Sequence, residues 1–419
     1  MAILQIRGPV RLSGELTVHG AKNSTLPLMA AALLCEGESV LHNCPKLSDV
    51  DVSIRILRAL GCRVKREGAS LTIDPTSADD WEIPDTLMRE MRSSIVFLGA
   101  ILSKMGKAVL SFPGGCELGP RPIDLHVKAL RRLGAEICED YGWLTCTVNG
   151  RLKGAPVSLA FPSVGATENV LLAACRAEGM TVITNAAREP EICDLANFLN
   201  ACGARIHGAG ESTIVVEGVE HLHGCHHKVI PDRIVASTYL CAAAITGGSV
   251  LLRGTEPEHL SPLLPVFEEC GCVLETEQDM VWLKAPRRLS RVRSIRTMPY
   301  PGFPTDAQAP VMSMLTLASG TSIFVENMFE SRYKHVGELL RMGAKIKVEG
   351  RVAVVEGTSR LMGASVEAAD LRGGAALVVA GLAAHGATSV SGLRYIDRGY
   401  ESIEKNLSML GADIRRVFS

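Results

Sequence analysis

The sequence predicts an α/β protein of two domains, built from six copies of a unit of about 70 residues, three copies to a domain. Three observations carry this reading. A triplet with a central glycine recurs six times: Leu60-Gly61-Cys62, Leu133-Gly134-Ala135, Cys202-Gly203-Ala204, Cys270-Gly271-Cys272, Met342-Gly343-Ala344 and Leu410-Gly411-Ala412. Apolar, alanine-rich segments end at Gly37, Gly106, Gly179, Gly247, Gly320 and Gly386 with the same period, each followed by a short β-branched run such as Thr181-Val182-Ile183. The register is offset at the chain ends: a strand pair over residues 4–18 precedes the first apolar segment, and the last repeat stops after a strand around Ile414. Self-similarity at a fixed period is the mark of a repeated folding unit.

Each element of the unit follows from its pattern. A helix that is apolar nearly all round must be buried. The triplets follow segments of helical periodicity, for example Val127, Leu130 and Leu133, and glycine there suits a left-handed helix end that feeds a strand. The unit therefore reads as buried helix, strand, amphipathic helix and strand pair. Helices inside and sheets outside define a two-domain inside-out α/β barrel. The offset lets the N-terminal strands complete the last repeat. One domain is thus expected over residues 21–229, and the other, discontinuous, over 1–20 and 230–419.

Composition narrows the function classes. The chain has 419 residues, 47% hydrophobic and 21% charged, enough for ample core and too long for a single one. Net charge is -1 and no basic block marks a nucleic-acid or acidic-lipid surface. The start, Met1-Ala2-Ile3-Leu4-Gln5-Ile6-Arg7, carries no signal-peptide pattern. The most apolar stretches, such as residues 26–35, are about half the length of a membrane span. The 13 cysteines form no paired framework and several lie in apolar runs (Cys35, Cys175, Cys241), which points to a reducing compartment. A cytoplasmic protein is expected.

Candidate chemistry gathers where the buried helices begin. Fourteen positions before the helix-ending glycines stand Asn23, Arg92, Gly165, Arg233, Asp306 and Arg372, with Lys22 beside the first. Helix N-termini bind anions, and six of them could converge on one interdomain cleft. Cations there oppose the helix dipole, so their recurrence points to a ligand. The competing reading pairs Arg92 with Glu90 and Arg372 with Asp370. A second cluster is the loop Phe112-Pro113-Gly114-Gly115-Cys116-Glu117-Leu118-Gly119-Pro120-Arg121-Pro122. Three glycines and three prolines forbid regular structure there and suit a lid. Cys116 is an accessible thiol near Arg121, able to ionise or donate a proton from an unperturbed pKa of about 8.5; an incidental loop cysteine is the competing reading. Asp306, in Pro301-Gly302-Phe303-Pro304-Thr305-Asp306, is an N-cap or a general base. Arg398 lies in a turn within Tyr395-Ile396-Asp397-Arg398-Gly399-Tyr400-Glu401. His221, His223, Cys225, His226 and His227 look like a metal tract but lack tetrahedral-site spacing. No Walker A loop, dinucleotide fingerprint or zincin helix is present.

Several of these stretches resemble a known family. They are Gly20-Ala21-Lys22-Asn23, Met91-Arg92-Ser93-Ser94, Pro113-Gly114-Gly115-Cys116 with Gly119-Pro120-Arg121-Pro122-Ile123-Asp124-Leu125-His126, Ala187-Arg188-Glu189-Pro190-Glu191, Pro231-Asp232-Arg233, Phe303-Pro304-Thr305-Asp306, Phe329-Glu330-Ser331-Arg332 and Ile396-Asp397-Arg398-Gly399-Tyr400-Glu401. In order and from end to end, they are similar to those of the enolpyruvyl transferases that act on UDP-N-acetylglucosamine, a branch of the EPSP synthase family. The resemblance implies two inside-out α/β domains of three units each. It implies addition–elimination between phosphoenolpyruvate and the 3-hydroxyl of UDP-N-acetylglucosamine, the first committed step of peptidoglycan synthesis, with no metal or organic cofactor.

Residue by residue, the resemblance makes Cys116 the proton donor, open to a covalent substrate adduct and to alkylation by fosfomycin, and Asp306 the base. Lys22, Asn23, Arg121, Arg332, Arg372 and Arg398 match phosphoenolpyruvate contacts. Arg92, Arg121, Pro122, Ile123, Asp124, Leu125, Ser163, Val164, Gly165, Asp306 and Met328 match sugar-nucleotide contacts. Phe161 stands where relatives carry lysine. The expected partners are these two small molecules, with neither nucleic acid nor membrane, in a monomer or weak homo-oligomer. The alternatives are a transferase acting on shikimate 3-phosphate, which lacks this cysteine lid, and a non-catalytic sugar-nucleotide-binding relative.

Overall fold

The computed structural model describes residues 2–113 and 123–418. Cys116, Arg121 and Pro122 therefore lie outside the described residues.

All six apolar segments form helices: Lys22–Ala32, Phe97–Met105, Val164–Ala174, Arg233–Ile245, Thr305–Leu315 and Leu371–Ala383. The second is entered through a tighter turn, Arg92–Val96. Nearly every residue of these helices is buried; in Arg233–Ile245 all of them are. The amphipathic helices, such as Ser48–Ala59 and Pro190–Ala201, end at the glycine triplets. The central glycines have φ between +87° and +102°, a backbone that residues with a Cβ rarely adopt.

Contacts divide the chain into two compact units. One holds residues 2–19 and 231–418, the other residues 20–113 and 123–230. Each has its own apolar core, and in each the three buried helices pack on one another. The sheets are built to one plan. In the complete internal repeats, the strand after the buried helix pairs antiparallel with the hairpin that follows and parallel with a short strand that precedes the helix. Met180–Thr184, for example, lies between Thr213–Glu217 and Pro156–Ser158. Among the described residues there are five sheets of four strands and one of three. These six sheets, one to a repeat, and the buried helices packed on one another within each unit match the six-repeat α/β reading of the sequence.

Pairing at the chain ends follows the offset register. Ala2–Gly8 runs antiparallel between Gly386–Ser391 and Asp413–Phe418, and so completes the last repeat. Ser13–Thr17 pairs in parallel with Ser249–Arg253. In the other unit His226–Lys228 joins Ser39–His42, and the end of that unit returns to its first repeat. No helix among the described residues is long and apolar enough to cross a membrane.

Candidate active site

In the unit of residues 2–19 and 231–418, one carboxylate is held by two arginines from different elements. Asp306 is the second residue of Thr305–Leu315. Its Oδ1 accepts from Arg332 Nη2 at 2.8 Å, and its Oδ2 accepts from Arg372 Nη2 at 3.1 Å and Nε at 3.3 Å. Arg332 also donates from Nε and Nη2 to the Thr305 carbonyl. Both arginine side chains are 2% exposed, while Asp306 is 28% exposed. Arg372 lies 5.5 Å from the Tyr400 ring centre. Burial disfavours its charge, but Tyr400, Asp306 and Asp232 outweigh burial and hold its proton more firmly than in water. Arg372 Nη1 is buried and meets no hydrogen-bond partner among the described residues. A buried guanidinium with a spare donor is a ready anion contact.

The local structure explains why these groups meet. Asp370 caps Leu371–Ala383, its Oδ1 accepting from Arg372 N at 3.0 Å and Gly373 N at 2.9 Å. Asp370 therefore serves the backbone of the turn, and the Arg372 guanidinium goes to Asp306. Gly373 has to be small: a Cβ there would stand 2.7 Å from Asp370 Oδ2 and 3.0 Å from His335 Cβ. His335 is buried and neither ring nitrogen has a hydrogen-bond partner among the described residues. Burial, with Arg332 adding to it and Asp370 opposing, pushes its pKa down to about 4. Glu326, 1% exposed, fixes the neighbouring loop. Its Oε1 accepts from Thr297 Oγ1 and from the N–H groups of Met328 and Phe329, and its Oε2 accepts from Thr305 Oγ1 beside Asp306. Met328 thus sits on a braced loop, half-buried. Arg398 follows the short helix Leu393–Ile396 and is half-buried. Arg233 opens its helix with its guanidinium 5.4 Å from the Tyr300 ring centre.

The other unit carries three further groups of candidates. Lys22 begins Lys22–Ala32, and its Nζ is 3.0 Å from Asp49 Oδ2, with both side chains buried. Asn23 follows, half-buried. At the next residue, Ser24 Oγ donates to Asp194, which also bonds His227 Nε2 at 2.7 Å. Arg92 donates from Nη1 to the Pro113 carbonyl at 3.2 Å. Arg92, Ile123 and Asp124 line one open cavity of about 390 Å³ together with Phe112, Pro113 and Val127. Asp124 begins Asp124–Arg132 and pairs with Lys128 at 3.1 Å, and Leu125 is half-buried behind it.

Ser163 caps Val164–Ala174 through the Ala166 N–H. A Cβ on Gly165 would stand 3.1 Å from His126 Cε1. That ring is held by Asn169, whose Oδ1 accepts from Gly99 N at 2.6 Å and whose Nδ2 donates to Ile95 O and to His126 Nδ1 at 2.8 Å. The Gly99 bond fixes the amide orientation, so His126 Nδ1 accepts and the proton resides on Nε2. Deeper on the same helix, Glu168 is pushed up to about 8 by burial, then by Glu191 and Glu189.

Two competing readings fall away. Glu90 pairs with Arg55, and Pro304, with no side-chain bond, occupies the cap position of the Asp306 helix. The histidine tract disperses: His221 bonds Glu36, His226 stacks on His42 and His227 bonds Asp194. Among the described residues no group of three or more His, Cys, Asp or Glu is placed to hold a metal ion. Sequence reasoning missed Asp49, Asp194, Asn169, Glu326 and His335. It also did not read Asp232 and Asp370 as caps, although each stands immediately before an apolar helix.

The repeated units and helix-start charges define an enolpyruvyl-transferase fold, and the chain belongs to the EPSP synthase family. The family model described as EPSP synthase (3-phosphoshikimate 1-carboxyvinyltransferase) matches residues 6–407. The chain is 55% identical over 417 residues to UDP-N-acetylglucosamine 1-carboxyvinyltransferase 2 of Caldanaerobacter subterraneus subsp. tengcongensis, covering 100% of both chains. It is 49% identical to UDP-N-acetylglucosamine 1-carboxyvinyltransferase 1 of Symbiobacterium thermophilum, covering 98% of this chain and 94% of that one. Among solved structures, the enolpyruvyl transferase NikO from Streptomyces tendae superposes with a TM-score of 0.90 at 26% identity, covering 100% of this chain and 99% of that one.

Proposed function

We propose that this chain transfers the enolpyruvyl group of phosphoenolpyruvate to the 3-hydroxyl of UDP-N-acetylglucosamine and releases phosphate, in the cytoplasm, as a step of peptidoglycan synthesis. The observation that carries the reading is the Asp306 carboxylate between Arg332 and Arg372, with Arg372 Nη1 spare. End-to-end identity to the two 1-carboxyvinyltransferases supports it and favours the sugar nucleotide over shikimate 3-phosphate.

The chemistry balances as an addition followed by an elimination. The sugar 3-hydroxyl adds to C2 of phosphoenolpyruvate and loses its proton, while the methylene carbon gains one. The resulting tetrahedral adduct then loses a methyl proton and phosphate, which regenerates the enol ether. Phosphoenolpyruvate brings a phosphate and a carboxylate, so fixed cations lower the energy of bound substrate and of the departing phosphate. Lys22, Arg121, Arg332, Arg372 and Arg398 are assigned to that anion, with Asn23 beside it. Asp306 is assigned as base: it is the carboxylate at the helix start that stays partly exposed while the two arginines around it are buried. Cys116, outside the described residues, is assigned as the acid that protonates the methylene carbon. The sugar nucleotide is assigned to Arg92, Arg121, Pro122, Ile123, Asp124, Leu125, Ser163, Val164, Gly165 and Met328. The chain works as a monomer or a weak homo-oligomer in this reading.

The test is phosphate release by the purified protein. Release is expected only with both phosphoenolpyruvate and UDP-N-acetylglucosamine, and it should disappear in Cys116→Ala with an unchanged circular dichroism spectrum. No release with both substrates overturns the proposal, and release with shikimate 3-phosphate redirects it.

A further inference from the structure

The cysteines that the mechanism leaves unused include one close pair. Cys202 Sγ and Cys225 Sγ are 3.3 Å apart across 23 positions of chain. We propose that Cys202 and Cys225 are a modification site: peroxide-class oxidants convert them to a reversible intramolecular disulfide, independently of the transfer reaction.

The geometry needs little change. A disulfide brings its sulfurs to about 2.05 Å, so the gap closes by about 1.3 Å, within reach of two side-chain rotations. Both backbones are anchored. Cys202 ends the helix Pro190–Ala201, its N–H bonded to the Phe198 and Leu199 carbonyls, and its own carbonyl accepts from His223 N at 2.9 Å. The Cys225 carbonyl accepts from Val40 N at 2.9 Å, beside the strand His226–Lys228. The sulfurs therefore face each other with little freedom to part.

The two thiols have different roles. Cys225 is half-buried and Cys202 fully buried, so Cys225 is the one an oxidant meets. The Cys202 thiol donates a hydrogen bond to it, and this, against some burial and with help from His227 and His223, draws its pKa down to about 7. The lowered pKa favours the Cys225 thiolate, the form that reacts with peroxide. The thiolate attacks one peroxide oxygen: an S–O bond forms, the O–O bond breaks, and hydroxide leaves. The Cys202 sulfur then attacks the sulfenic sulfur, the S–S bond forms, and water departs with the Cys202 proton. In sum, two thiols and one hydrogen peroxide give one disulfide and two waters. Cys35, 1% exposed and near Cys202, is screened from the oxidant.

The experiment treats the purified protein with hydrogen peroxide, alkylates the remaining thiols, and maps non-reduced peptides by mass spectrometry. The expected product is a cross-linked peptide pair containing Cys202 and Cys225, about 2 Da below the sum of the two and lost on reduction with dithiothreitol. Oxidised protein should melt roughly 5–10 °C higher, because the closed loop constrains the unfolded chain. The Cys225→Ser variant should show neither the cross-link nor the rise. A Cys225 that stays fully alkylatable, or goes to sulfinic acid without capturing Cys202, overturns the proposal. So does a Cys35–Cys202 bridge, or stoichiometric zinc holding the two sulfurs in the purified protein.

Discussion

The Asp306 clamp makes a prediction that can be worked through. Asp306→Asn keeps the size and one acceptor but removes the charge between Arg332 and Arg372, both 2% exposed. Breaking a buried ion pair by deleting one partner costs about 3–5 kcal/mol, since the remaining charge stays buried. Asp306 is 28% exposed and the amide oxygen still accepts one bond, so the lower end applies, about 3 kcal/mol. For a unit of about 200 residues that lowers the melting temperature by about 6–12 °C. Calorimetry in phosphate-free buffer reads this directly. Two uncompensated guanidiniums should also bind an anion better, so millimolar inorganic phosphate should restore several degrees to the variant and less to the parent. An Asp306→Asn variant that melts within a degree of the parent and ignores phosphate would refute the idea that this carboxylate neutralises the two arginines.

Three further outcomes follow from the same geometry. Asp49→Asn should destabilise the protein, and combining it with Lys22→Met should recover part of the loss, a non-additivity of about 1–3 kcal/mol in urea titrations. His335 has a native pKa of about 4 against about 6.5 unfolded. Its native state therefore binds fewer protons between these values, and stability falls as pH drops through that window. His335→Leu should remove about 2 kcal/mol of the difference between pH 7 and pH 5. Glu168 has the opposite sign: its native pKa of about 8 exceeds the unfolded carboxyl's, so stability falls as pH rises from about 4.5 to 8. Glu168→Gln should flatten that slope, by about 2 kcal/mol between pH 5 and pH 7.

Much of the fold was legible because repetition multiplies weak signals. One Leu-Gly-Cys triplet means little, but six at one period, each with φ near +90°, locate six helix ends. The offset of the first strands exposed the pairing of Ala2–Gly8 with the last repeat, which lacked a strand, but not that Ser13–Thr17 joins Ser249–Arg253 instead. Within the site, charged residues at helix starts could be found by counting, and Asp306, Arg332 and Arg372 do meet. Their partners could not. Asp49 sits in an ordinary amphipathic helix, and His335 and Asn169 look like surface polar residues in sequence. Their importance arises from packing against elements tens of residues away, which periodicity does not report.

The helix starts also show how cations come to stand where the dipole opposes them. A positive charge in the first turn costs about 0.3–1 kcal/mol, yet Arg233 and Arg372 both lie there. Each follows an aspartate cap: Asp232 accepts from Ile234 N and Val235 N, and Asp370 from Arg372 N and Gly373 N. A charged cap contributes about 1 kcal/mol through those bonds and supplies the negative charge that the dipole favours. Cap and arginine therefore act together. Serine at position 370 would keep the hydrogen bonds but leave Arg372 facing the dipole uncompensated. Alanine would release the turn that carries Arg372. Each change loosens the guanidinium that binds Asp306 Oδ2, so Asp370 governs the Asp306 clamp through the backbone of its own helix.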